Sequence, residues 1–186
     1  MKLIHKGTLV ALALGIFVVA CGRVSIAWKE QVQLSSREMI VVQRTALGKS
    51  IGELGGSGGW DIGEMTLSPD DGAPAQFAEW KFPFAPILLD RDPETKEWFV
   101  VATFYYCTSW YEMGRPKLPY IEYKLHGDRW DVVPLEAKLI GRSVNLLAGP
   151  SAKGEPPLLT IEHKKQQAAG DAPKYRTILR EWKTAC

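Results

Sequence analysis

The residues able to do covalent chemistry are few and widely separated along the chain. Ser57 stands within residues 55–59, which formally match the G-x-S-x-G nucleophile elbow, but both flanks are glycine and no buried strand precedes them. We therefore interpret this stretch as a flexible loop. A catalytic triad also needs a histidine base, and beyond residue 20 the chain has only His126 and His163, which we predict to lie at the surface.

The sequence gives as little indication of a metal site as it gives of a catalytic triad. A closed site needs three or four converging ligands, and the one close grouping is Glu122, His126 and Asp128, in and beside a predicted turn. We predict no metal and no cofactor. Paired carboxylates for glycoside hydrolysis come from distant segments, and the sequence singles out no pair. A cell-envelope hydrolase with unidentified carboxylates is therefore the alternative function.

An aromatic segment, residues 105–120, offers the clearest candidate binding surface. Aromatic rings provide contact area at low entropic cost, and cations interleave with them. The same side chains would also serve as core packing, so both interpretations stay open. The candidate residues are Trp110, Tyr111, Arg115, Lys117 and Tyr120.

The N-terminus has the layout of an export signal. Lys2 and Lys6 precede thirteen uncharged residues, 8–20, which would span only about 20 Å as a helix, against the roughly 30 Å of bilayer hydrocarbon. We predict that residues 1–20 are a signal peptide. Its removal would leave 21 cationic and 21 anionic residues, and this neutral balance argues against nucleic-acid binding.

Residues 18–21, Val-Val-Ala-Cys, resemble the lipobox of bacterial lipoproteins. The resemblance implies that Cys21 is acylated and becomes the N-terminus, and that the acyl chains hold the protein on a membrane. Gly22 in the next position implies sorting to the periplasmic face of the outer membrane in a Gram-negative cell. Ordinary signal peptidase cleavage is the competing interpretation.

Acylation of Cys21 would leave two cysteines, Cys107 and Cys186, in an oxidising compartment. A disulfide between them would close a loop of about 80 residues and contribute at most about 4 kcal/mol. Two unpaired thiols are the alternative, because Cys186 is the last residue.

The remaining chain, residues 28–186, is predicted to be a single β-rich domain behind a short tether, residues 21–27. Alternating apolar residues predict strands over 28–34, 39–44, 64–67, 76–82, 87–90, 98–106, 120–125 and 129–133. Their spacing favours an antiparallel meander that forms a sandwich or a small barrel. We expect residues 45–59, with six glycines, and residues 108–119 to be loops. One or two short helices are expected near the C-terminus, at 158–169 with Lys164 and Lys165 in solvent, and at 175–182 as either helix or strand.

Several motifs together are similar to an uncharacterised group of proteobacterial exported proteins and lipoproteins: WKE at residue 28, PILLD before a FVVAT strand, GRPKLPYIEYK, and NLL at 145–147. The group usually has Asp-Gly where Ser35 and Ser36 stand. It has no assigned activity, so the resemblance implies no catalytic residue. We therefore expect a lipid-anchored, non-enzymatic binding or assembly accessory, with an envelope protein or a cell-wall glycan as its partner.

Overall fold

Alternation of side chains gives the first strand two unlike faces. A computed structural model describes residues 22–51, 59–73, 76–151 and 155–183. Within its first strand, Trp28 and Val32 are buried while Lys29 and Gln33 are exposed, as a half-buried strand requires. In chain order the elements are β1 (Arg23–Gln33), β2 (Met39–Ile51), β3 (Gly59–Pro69), β4 (Trp80–Phe82), β5 (Ala85–Arg91), β6 (Trp98–Thr103), α1 (Cys107–Glu112), β7 (Ile121–His126), β8 (Arg129–Val133), β9 (Leu158–Leu159) and α2 (Ile161–Ala168).

The strands form two sheets, with the orders β4-β3-β2-β1-β9 and β5-β6-β7-β8. Every pairing is antiparallel except that of β9 with β1. One apolar cluster takes residues from both sheets, including Trp28 and Trp80 from the first and Trp98 and Tyr123 from the second. The predicted mainly β fold with antiparallel sheets is therefore confirmed, and its two sheets face each other as a sandwich.

A third layer covers the outer face of the second sheet. Ile87 on β5 and Phe99 on β6 point away from the sandwich core and pack against Leu139, Ala148 and Ile178. The residues after β8 therefore fold back over this sheet instead of extending it. None of the helices in the described ranges is long and apolar enough to cross a membrane.

The glycine-rich stretch differs from the prediction. Residues 45–51 continue β2, because β1 and β3 hydrogen-bond to it on either side and offset the entropic cost of ordering glycine. At Leu47 and Gly48 the register shifts, since Gly63 on β3 has no partner across the ladder. The remaining part of the predicted loop, residues 52–58 with Ser57, lies outside the described residues.

Other boundaries are also corrected. The predicted loop 108–119 begins with helix α1, and β1 starts at Arg23, inside the predicted tether. The predicted helix at 158–169 opens as β9, because Leu158 and Leu159 pair with β1 before α2 begins. A single-turn 3-10 helix, Pro173–Tyr175, ends at the first residue of the predicted segment 175–182, and the rest of that segment forms neither a helix nor a strand beyond a single bridge between Thr177 and Ser143. The expected short helix near the C-terminus is present as α2.

Candidate ligand-binding cleft

A cleft of about 620 Å³ lies between helix α2, residues 142–148 and residues 175–176. Its volume falls within the range of about 300–1,000 Å³ that is usual for small-molecule sites. Most of the surface that faces the cleft is apolar, and nine of the nineteen described lining residues are aliphatic: Leu34, Leu88, Val144, Leu146, Leu147, Ala148, Ile161, Ala168 and Ala169. We call it the α2 cleft.

Helix α2 is positioned by its N-terminal end. The parallel pairing of β9 with β1 brings the chain to the edge of the first sheet, and Thr160 then caps the helix by accepting the amide of His163 at 3.3 Å. Ser143 and Thr177 form a bridge on the opposite side of the cleft. The walls of the cleft are thus set by backbone pairings.

Asn145 joins the cleft wall to both sheets. Its amide nitrogen donates to the carbonyl oxygens of Leu89 at 2.7 Å and Gln33 at 3.1 Å, and its oxygen accepts the Leu89 amide at 3.0 Å. The side chain therefore mimics a strand along the edge of β5 while it also contacts the end of β1. These three hydrogen bonds hold residues 142–148 in place.

A buried ion cluster lies against the cleft and consists of Glu30, Arg44 and Lys164. The Glu30 carboxylate accepts from Arg44 Nη1 at 2.9 Å and from Lys164 Nζ at 3.0 Å. It also accepts from the Leu147 amide at 2.6 Å and the Trp28 indole at 3.3 Å. Lys164 donates further to two backbone carbonyls, those of Gln31 and Asn145. The expectation that Lys164 is solvated is therefore wrong, because α2 packs this residue inward against β1.

The cluster carries one more positive charge than negative. Burial lowers the pKa of Arg44 and of Lys164, while the Glu30 carboxylate opposes that shift in both. Arg44 stacks over the Trp28 ring at 5.0 Å, and its Nε and Nη2 atoms have no hydrogen-bond partner among the described residues. One carboxylate thus serves two buried cations.

Further charges line the cleft. Arg142 lies beside the buried Asp90 and forms an ion pair with it, whereas Lys165 and Arg176 are exposed. Asp171 is the one acidic residue among the lining residues, and burial raises its pKa. Cations therefore outnumber anions around the cleft.

The predicted aromatic surface is only partly exposed. Tyr111 is exposed, with the Arg115 guanidinium stacked on its ring at 4.8 Å, and Lys117 is exposed as well. Trp110 is half-buried, donates to the Pro116 carbonyl at 3.3 Å and packs edge-on against Trp182 at 5.5 Å.

Tyr120 must be removed from this surface, because it is buried in the outer layer. Its hydroxyl lies 3.1 Å from the Thr177 carbonyl and accepts the Leu179 amide at 3.1 Å. The ring thereby anchors the C-terminal segment to the start of β7. A protein or glycan partner at the remaining residues stays a prediction.

Cys107 begins helix α1 and is disulfide-bonded. Both Cys186, its predicted partner, and Cys21, the predicted lipidation site, lie outside the described residues. The pairing and the lipidation therefore stay predictions.

The grouping of Glu122, His126 and Asp128 does not converge on one point. Glu122 accepts the Glu136 amide at 2.8 Å, whereas His126 bonds to Asp131 at 2.9 Å at the exposed end of the hairpin. Across the described ranges, no three His, Cys, Asp or Glu residues form a potential metal site.

Sequence reasoning missed Glu30 and Arg44, although a signal was present. Strict alternation places Glu30 between Trp28 and Val32, and Arg44 between Val42 and Ala46, on the buried faces of two neighbouring strands. Comparison of the chain with protein-family models, with curated proteins and with solved structures finds no match.

Proposed function

We propose that this protein is a ligand-binding β-sandwich held at a bacterial membrane by acyl chains on Cys21. The α2 cleft is the observation that carries the binding role, since it combines a suitable volume with a mostly apolar surface and with polar and charged side chains around it. The described lining includes one carboxylate and no histidine, so it offers neither the paired acids of a glycoside hydrolase nor the histidine base of a catalytic triad. Binding is therefore favoured over hydrolysis.

The start of the sandwich supports a location close to the bilayer. Gly22 alone separates Cys21 from the first residue of β1, so a lipidated Cys21 would leave almost no tether. Arg23 and Lys49 are exposed and lie opposite each other in the register at this end of the sheet. Each cation near an anionic membrane surface contributes about 1 kcal/mol of attraction.

The anchor is tested by Cys21→Ala in the full chain, expressed with its own signal in a Gram-negative host. Loss of the acyl chains should move the protein from the membrane to the soluble fraction, because two or more chains are what make attachment stable. Ser25→Ala is the control, since it replaces an exposed residue close to the N-terminus but leaves the lipobox-like residues and both remaining cysteines unchanged. Unchanged membrane partition of Cys21→Ala, or an unmodified mature N-terminus in the wild type, would overturn the anchor.

The binding role is tested by native mass spectrometry of the protein purified from cells. A small molecule should co-purify with the wild type and be lost from Ala169→Trp, because residue 169 lines the cleft yet is exposed, so that the larger side chain obstructs the cleft without entering the core. A ligand retained equally by both proteins would place binding elsewhere.

A further inference from the structure

We propose that the α2 cleft takes a small amphiphile with one anionic head group, of the fatty-acid class. The inference deepens the proposed binding function and rests on it. Its physical basis is the combination of an aliphatic lining with an excess of cations around the same cavity.

The apolar part of the ligand is indicated by the cleft wall. Leu146 and Leu147 contribute from one side and Ile161 and Ala168 from helix α2 on the other. A cleft of about 620 Å³ lined in this way holds an alkyl chain by removing its apolar surface from water. Apolar atoms make up most of the surface that the lining presents to the cleft, whereas a sugar or a nucleotide would need a polar partner for each of its many hydroxyl and amide groups.

The anionic head is indicated by the charges. Lys164 and Arg44 share the single carboxylate of Glu30, which leaves one uncompensated positive charge buried beside the cleft. Lys165 and Arg176 also line the cleft and are exposed, and Asp171 is the only acidic residue among the described lining residues. Arg142 is neutralised by Asp90 and adds little. A carboxylate in the cleft would balance the field of the buried cluster and accept charge-assisted hydrogen bonds from the exposed cations.

The buried cluster acts on the ligand through its field and not through a hydrogen bond. Lys164 already donates to Glu30 and to the carbonyls of Gln31 and Asn145, which uses its three N–H groups. Lys165 and Arg176 are therefore the side chains that would contact the head group.

The test uses the full lipidated protein in phosphatidylcholine nanodiscs and a dodecanoic acid that carries a photoreactive diazirine at the end of its chain. Cross-links should map to peptides that contain residues 142–148 or α2. Unlabelled dodecanoate should compete at least about tenfold better than dodecanol, since a hydrogen bond to a charged group has about this effect on affinity.

Two sets of variants decide between the alternatives. Lys165→Gln with Arg176→Gln should lower labelling about tenfold or more, because both head-group contacts are lost. The matched control is Lys81→Gln with Arg129→Gln, which removes the same charge from β4 and β8, outside the cleft, and should label like the wild type. Ala169→Trp should abolish cleft labelling. Circular dichroism of each variant confirms that it is folded.

The outcomes separate this inference from the proposed function. Equal competition by dodecanol and dodecanoate, or wild-type labelling of Lys165→Gln with Arg176→Gln, would overturn the anionic head while leaving a binding cleft. Labelling confined to other segments would overturn both. In a final experiment, phosphatidylglycerol is added to the nanodisc as a competitor of cleft labelling. If it competes as strongly as dodecanoate, the same anionic amphiphile chemistry is supported, with the bilayer as the source of the ligand.

Discussion

Replacing Glu30 with glutamine tests whether the buried ion cluster holds the sandwich together. Glu30→Gln keeps the shape of the side chain but removes its charge, so that Arg44 and Lys164 lose their shared counter-ion. It also places an amide nitrogen where donors now converge on the carboxylate. Both effects destabilise the folded state.

The size of the expected loss of stability follows from the burial of the cluster. Arg44 and Glu30 are fully buried and the Lys164 side chain is 10% exposed, so water cannot replace the missing charge. Removing one partner of a buried pair costs about 3–5 kcal/mol, which is a large part of the roughly 5–15 kcal/mol by which a domain is stable. Lys164→Met should cost less, about 1–3 kcal/mol, because Glu30 keeps Arg44 and two further donors.

Urea unfolding followed by tryptophan fluorescence measures these free energies. The loss of stability in the double variant Glu30→Gln with Lys164→Met should be smaller than the sum of the two single losses by about 1–3 kcal/mol. The reason is that the double variant leaves one buried cation without a counter-ion, whereas Glu30→Gln alone leaves two. Glu181→Gln, at an exposed ion pair, is the control and should stay within about 1 kcal/mol of the wild type. A loss of less than about 1 kcal/mol for Glu30→Gln, or an additive double variant, would refute the reasoning.

Three further measurements test other parts of the structure. Asn145→Ala should lower the free energy of unfolding by about 1–3 kcal/mol, because three backbone groups in two sheets lose a hydrogen-bond partner. An unchanged urea midpoint would contradict the role of Asn145 in joining the two sheets. Burial raises the pKa of Tyr120 and of Tyr175 to about 12, so the unfolded chain loses these protons first, from about pH 10. Stability should therefore fall as the pH rises from about 10 to about 12, less steeply in Tyr120→Phe, and a flat profile of urea midpoints over this window would contradict the assignment. Non-reducing peptide mapping should find the Cys107 peptide joined to that of Cys186, and a link from Cys107 to any other cysteine would show that the predicted pairing is wrong.

Local sequence patterns were sufficient for most strands and for several turns. Alternation predicted β1 and the hairpin to β2, and Gly127 predicted the turn between β7 and β8, where its φ of +64° is one that glycine adopts without strain. Both signals act over a few neighbouring residues, so the rest of the fold was not needed to interpret them.

Long-range pairing overrode local preference elsewhere. The six glycines of residues 45–59 favour a loop by their entropy, yet two neighbouring strands satisfy the backbone of residues 45–51, which include Gly48, and make this stretch part of β2. Tyr120 likewise reads as part of an aromatic loop, and only the return of the C-terminal segment over the second sheet buries it. Neither outcome follows from residues adjacent in sequence.

The buried ion cluster depends both on the local sequence pattern and on the tertiary structure. Period-two alternation alone determines that Glu30 shares the inner face of β1 with Trp28 and Val32. Only the tertiary structure decided that Lys164 would reach it, 134 residues later in the chain. Helix α2 has too few turns and too little apolar patterning to specify which face it buries. Its orientation comes instead from the pairing of β9 with β1, which brings Lys164 Nζ within 3.0 Å of the buried Glu30 carboxylate, where each charge offsets the cost of burying the other.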